Sequence, residues 1–286
     1  VTEVAAGQAI VVKGESCDVN VIASAETTGN IFTSGAHKVE AGENIFALST
    51  EGDFRKVAEG VEIPAKLENT PEQILHRIAY TVSYNKETKI PNWVAWKLTK
   101  EHCEGEIQRP TSAFHEDKEV SKPRATLADY KGSGWSRGHM CPAGDNKWDA
   151  DAMYESFLLT NMCPQDSKLN AGRWNDIESL CRKWAKEYGE VYIVCGPILY
   201  KQKHKTIGSN EVVVPEAFFK VVLCLTGEPK AIGFICKNSG EKQNRDYYVN
   251  TVDNVERITG IDFFPNLDDA IENKIEAEAD LKNWIK

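Results

Sequence analysis

Over residues 1–62, short runs of alternating apolar and polar residues, such as Gln8–Lys13 and Val19–Ala23, are separated by turn-forming stretches. Thr28-Gly29-Asn30 and Ala41-Gly42-Glu43 are two of these. Period-two alternation broken by frequent turns predicts strands, so residues 1–70 are expected to form a small β-rich accessory domain. Pro64 and Asn69-Thr70-Pro71 mark its expected linker, which leaves residues 71–286 as the main domain. There, Ile78–Tyr84 and Trp93–Leu98 predict strands around a turn at 85–91, and Glu101 to Gly134 predicts loops. Trp135–Cys141 follows, and Ser156–Met162 predicts another strand. Trp174, Ile177, Leu180, Cys181, Trp184 and Tyr188 recur at helical spacing within Asn170–Gly189, with Gly189 as the stop. Glu190–Leu199, Ala217–Leu225 and Ala231–Cys236 predict strands, the last two joined by a hairpin. Asp268–Ile285 predicts a closing helix.

Composition narrows the class without naming a function. The 286 residues are 41% apolar and 27% charged, as in globular proteins with a sizeable core. No apolar run approaches the ~20 residues of a membrane-spanning helix. The net charge of −9 argues at first against a nucleic-acid partner. Its distribution weakens that argument. Residues 1–72 carry net −7 and residues 253–286 net −5, which leaves 73–252 at net +3. The middle of the chain can therefore offer a basic groove.

Eight cysteines occur at 17, 103, 141, 163, 181, 195, 224 and 236, with no C-x-x-C pair for zinc. Their even number, and a chain that begins at Val1 without a leader-like segment, predict a processed, exported protein in an oxidising compartment. Cys195, inside an apolar run, is expected to be a buried free thiol.

The candidate chemistry is concentrated in three stretches. Trp135-Ser136-Arg137-Gly138-His139 is followed by Thr160-Asn161-Met162-Cys163-Pro164-Gln165, and then by Asn170 with Arg173, Trp174, Glu178 and Arg182. Phosphodiester hydrolysis needs an activated water, a cation on the phosphoryl oxygens and positive groups that hold the substrate. A neutral histidine is a suitable general base near pH 7. Magnesium keeps several waters, so one asparagine oxygen can suffice as its protein ligand. On a helix, Asn170, Trp174, Glu178 and Arg182 form one drifting stripe. The plainer alternatives are Asn170 as a helix cap and Glu178 with Arg182 as a surface pair. His37, His76, His102, His115 and His204 have no supporting constellation. Gly134-Trp135-Ser136-Arg137-Gly138 also satisfies the G-x-S-x-G pattern of serine esterases. However, no apolar strand precedes it and no helix follows.

Arg137-Gly138-His139, Thr160-Asn161-x-x-Pro164-Gln165 and Asn170-x-x-x-Trp174-x-x-x-Glu178 together resemble the DNA/RNA non-specific endonucleases. These are ββα-metal nucleases of the secreted bacterial sugar-non-specific and endonuclease G type. The similarity runs from about Tyr80 to about Phe264. It implies an α+β fold with a mixed, mainly antiparallel sheet, in which a two-strand-plus-helix unit carries the site. It implies His139 as general base, Asn170 as ligand of Mg²⁺ (or Mn²⁺ or another divalent cation), and Glu178 as acceptor for a metal-bound water. Arg137 and Arg182 would contact phosphate, Asn161 would fix the site, and Arg109 and Arg173 would add positive charge. DNA and RNA would be the partners, with a further unknown ligand for the first domain. Ser136 stands where the family usually has aspartate, so a weak or inactive nucleic-acid-binding protein is the alternative expectation.

Overall fold

The computed structural model describes residues 60–284 with their side chains, and before residue 60 only the backbone of five short strands. Among these, Ala9–Val12 and Phe54–Val57 each pair antiparallel with Asn44–Leu48, and Asp18–Asn20 pairs with Ala36–Lys38. The rest of the accessory-domain expectation, Cys17 included, lies outside the described residues. The chain divides into two compact units, Val1–Val61 with Leu225–Glu228, and Glu62–Cys224 with Pro229–Lys286.

The larger unit is built on a seven-stranded sheet in which every pairing is antiparallel. Its strands, and a separate strand pair that carries the candidate site, are β1 (Gln73–His76), β2 (Thr81–Asn85), β3 (Ile90–Thr99), β4 (Ser136–His139), β5 (Met162–Gln165), β6 (Glu190–Ile198), β7 (Ala217–Cys224), β8 (Lys230–Lys237) and β9 (Val249–Asn250). The sheet order is β9-β8-β7-β6-β3-β2-β1, and β4 pairs with β5 outside it. Both faces of β7 are covered, which is why its sequence is almost continuously apolar. Side chains alternate between faces along a strand. Phe218 meets Trp174 at 5.6 Å between ring centres on one side, and Phe219 meets Phe263 at 5.5 Å on the other.

Among the described residues, four helices of six residues or more accompany these strands: α1 (Ala150–Glu155), α2 (Asn175–Tyr188), α3 (Val252–Thr259) and α4 (Asp269–Glu276). Helix α2 buries Ile177, Cys181, Trp184, Ala185 and Tyr188 and ends at Gly189 with φ 91°, a conformation glycine adopts without penalty. No described helix is long and apolar enough to cross a membrane.

Three expected elements differ. The helix expected from Asn170 is regular only from Asn175, because Asn170–Trp174 is a π-turn with non-helical torsions at Gly172. The strand expected over Ser156–Met162 is a turn that becomes β5 only at Met162. The Asn161 carboxamide, donating to the Ser156 carbonyl at 2.8 Å, folds the chain back there. The closing helix breaks after Glu276 and resumes as a turn over Leu281–Trp284. Trp284 is drawn into the core against Trp184 at 4.3 Å, and its carbonyl accepts from Trp184 Nε1 at 3.1 Å.

Candidate active site

The β4–β5 ribbon sets the position of His139. Its register pairs His139 with Met162, Gly138 with Cys163, Arg137 with Pro164 and Ser136 with Gln165. A Cβ at Gly138 would overlap the Gln165 side chain, so the close approach of the two strands requires glycine. Beyond the ribbon, Asn161 is fully buried, and its whole carboxamide is engaged. Its Oδ1 accepts from Cys141 N at 2.9 Å, and its Nδ2 donates to Cys141 O and Ser156 O at 2.8 Å. Trp174 Nε1 donates to the His139 carbonyl at 3.2 Å. The histidine backbone is thus tied to the ribbon, the following turn and the π-turn leading into α2.

The His139 ring opens onto a pocket of about 560 Å³ whose lining includes Arg109, Phe114, Ser136, Arg137 and Asn170. Phe114 organises the two cations. The Arg137 guanidinium lies 4.1 Å from its ring centre and that of Arg109 5.2 Å, distances at which cation–π attraction holds a guanidinium in place. The imidazole lies against Phe114 at 5.5 Å and Phe157 at 5.0 Å. Burial, with the Arg109 and Arg137 charges added, pulls the His139 pKa down to about 3. The ring is therefore neutral, and its Nε2 is buried without a hydrogen-bond partner. Asn170 stands at the N-terminal end of the π-turn. Among the described residues its carboxamide makes no hydrogen bond to the protein, so its oxygen can accept a hard cation.

Arg109, Arg137, His139 and Asn170 therefore come together, and the other candidates do not line this pocket. Arg182 is held by buried Asp145 at 2.9 Å and by Ser179 at 3.1 Å. Arg173 is engaged by Asp176 at 3.2 Å and by the Gln243 carbonyl at 2.7 Å, above the Tyr248 ring. Asn161 spends its polar atoms on the backbone. Glu178 is half-buried on α2 among charged neighbours. Burial pushes its carboxyl up to about 7, while Lys220 and Arg182 pull it down and Asp145 pushes it further up.

Sequence reasoning missed Lys220, Asp145 and Phe114. Lys220 is only 1% exposed on β7, and its ammonium lies 4.8 Å from the Trp96 ring centre and 4.7 Å from that of Trp174. A charge within an apolar strand was the signal that could have found it. A larger cleft of about 1090 Å³ shares Phe114 and Leu127 with the pocket. It is ill suited to phosphate, because Arg77 is consumed by Asp117 and Glu119, each at 2.6 Å, and Glu116, Asp151 and Glu155 outweigh Lys118 along its lining.

Ser136 lies inside β4 and not on a strand-to-helix turn, so the esterase alternative has no nucleophile elbow. Cys103, Cys141, Cys163, Cys181, Cys236 and, in the core, Cys195 are free thiols, and no disulfide framework is found among the described residues.

The ribbon and the turn leading into α2 thus set a neutral histidine, two arginines and an asparagine around one pocket of an α+β scaffold. Residues 61–270 match the model of the DNA/RNA non-specific endonuclease family, and the chain belongs to that family. It is 37% identical over 207 residues to the mitochondrial nuclease EXOG of Xenopus laevis, a match covering 67% of this chain and 58% of that protein. With mitochondrial endonuclease G of Bos taurus it shares 32% identity over 209 residues, covering 68% and 70%. Thus the chain spans little more than half the length of the EXOG proteins it matches. A crystal structure of the EndoG/EndoGI complex has a TM-score of 0.66 at 27% identity, over 69% of this chain and 87% of that one. These relatives contradict the expected exported, bacterial-type location, because their names place them in mitochondria.

Proposed function

We propose that this chain is a metal-dependent, largely sequence-independent endonuclease that hydrolyses phosphodiester bonds of DNA and RNA. The observation that carries this reading is the unpartnered, buried Nε2 of a neutral His139 in a pocket that also holds two guanidiniums. Arg109 and Arg137 bind the phosphate oxygens. Their charges weaken the affinity of His139 for a proton, and a bound phosphate offsets them. Substrate binding therefore raises the basicity of Nε2 as the nucleophilic water arrives, and Nε2 takes the water's proton.

The donor set fits a hard divalent cation, Mg²⁺ or Mn²⁺, held by the Asn170 carboxamide oxygen, whereas Glu178 lies outside the pocket lining. A single protein oxygen suits Mg²⁺, which keeps most of its water. Bound there, the cation would neutralise charge on the scissile phosphate. Asn161 acts as a positioning residue through Cys141. Arg182 acts through Asp145, in place of the direct phosphate contact expected from the sequence. Residues 1–70 are an accessory segment that the chemistry does not need, and the free thiols are in keeping with a mitochondrial-type compartment.

The test is digestion of plasmid DNA and of RNA with Mg²⁺ and with chelator, for the parent chain and for His139→Ala. Loss of the general base should slow cleavage by roughly 10²–10⁴-fold, and chelation should abolish it. Cleavage that survives both would refute the assignment.

A further inference from the structure

The two C-terminal helices hold a group of side chains that the nuclease chemistry does not use. Asp253 and Glu256 lie three residues apart on α3, a spacing that puts both on one face. Glu276 closes α4. One carboxylate oxygen from each lies within 4.8 Å of the others. Glu272 and Asp262 add their charge to the same field.

Three carboxylates alone would be an ordinary acidic surface; Glu276 makes this group different. It is 5% exposed, and its Oε1 is buried with no hydrogen-bond partner. Oε1 of Glu272 is likewise buried and unpartnered. Glu256 uses one oxygen to accept from Phe263 N at 2.7 Å. The ion pairs of Arg77, Lys97, Arg124, Arg173, Arg182 and Lys237 are all made with other carboxylates. A buried carboxylate without a partner must take up a proton or meet a cation.

We propose that Asp253, Glu256 and Glu276 form a second divalent-cation site, of the calcium class, that clamps α3 to α4. The donors are all carboxylate oxygens, with no nitrogen or sulfur, which selects a hard cation. Calcium accepts irregular, carboxylate-rich surroundings, whereas magnesium demands a near-ideal octahedron and gives up its waters reluctantly. Asp253 is exposed and gives the ion an entry from solvent. Glu272 and Glu276 stand beyond residue 270, where the family match ends. The site therefore depends on this chain's own C-terminal segment and is separate from the catalytic pocket.

The test uses the full chain carrying Asn170→Ala, so that the catalytic pocket does not contribute, with CaCl₂ titrated by calorimetry and by thermal unfolding. A Kd on the order of 10⁻⁴ M is expected for such a site. Calcium at 100-fold excess over Kd should raise Tm by roughly 5–10 °C, and MgCl₂ should do markedly less. Adding Glu276→Gln and Asp253→Asn should weaken calcium binding at least tenfold. Glutamine has the shape of the protonated acid and Asp253 is exposed, so this variant keeps its fold. Asp253→Asn alone, at a solvent-facing position, should give a smaller loss in the same direction. No calcium response in the Asn170→Ala chain, or an equal response after the two acidic substitutions, would overturn the proposal.

Discussion

Replacing Asn161 by alanine separates positioning from chemistry. The side chain is 0% exposed and makes three hydrogen bonds of 2.8–2.9 Å, all to backbone atoms of Cys141 and Ser156. Alanine leaves one buried N–H without its acceptor and removes a donor from two buried carbonyls. Each unsatisfied buried group costs about 1–3 kcal/mol. A carbonyl has a second lone pair, and a water can enter the space vacated, so the three do not sum to the maximum. The expected loss is about 3–5 kcal/mol, at the upper end for single substitutions and a large part of the ~5–15 kcal/mol that holds a domain folded. Urea unfolding followed by tryptophan fluorescence measures it, and cleavage per folded molecule is measured alongside. A positioning residue loses both together, because Cys141 lies two residues after His139. A variant destabilised by less than about 1 kcal/mol that nevertheless fails to cleave would refute this account and place Asn161 against the reacting groups.

Other consequences can be checked independently. The folded pKa of His139, about 3, lies below its ordinary 6.5. The folded state therefore holds fewer protons than the unfolded one, and stability present above pH 6.5 is lost as pH falls towards 3. His139→Gln should flatten that acid limb in urea titrations. Glu178 has the opposite sign: raised from 4.5 to about 7, it contributes stability present below pH 4.5 and lost as pH rises through 7, a dependence that Glu178→Gln should remove. Duplex binding should weaken steeply with salt through counterion release, and Arg137→Gln should reduce the slope of log K against log salt by about 1; an unchanged slope would count against a phosphate contact. Ser136→Ala should keep most of the cleavage activity, and Ser136→Asp should keep or raise it. A dead Ser136→Ala chain would return that serine to the chemistry.

The strands that carry the sheet were legible because their apolar runs are long and bounded by turns, as at Glu190–Leu199 and Ala217–Leu225. The motif residues His139 and Arg137 were legible from residue type and order. What could not be read was which polar side chains are already engaged. Arg182 and Arg173 have the composition of phosphate ligands, but their partners, Asp145 and Gln243, lie 37 and 70 residues away in sequence. Periodicity also suggested one helix from Asn170 to Gly189. A π-turn changes the phase of the side chains without interrupting their apolar pattern, so the break at Gly172 left no trace in it. The free thiols illustrate a further limit: an even cysteine count carries no distances.

Lys220 bears on how faithfully the sheet assembles. Phe218-Phe219-Lys220-Val221-Val222-Leu223 would offer nearly the same greasiness to either side, so burial alone hardly penalises a strand that docks one residue out of step. The lysine breaks that near-degeneracy. Docked correctly, its ammonium sits by Trp96 and Trp174; shifted by one, it would face the side occupied by Phe263, with no indole to receive it. Lys220→Met would remove the penalty on misdocking. Its cost would show in refolding yield and in the share of trapped, aggregation-prone chains.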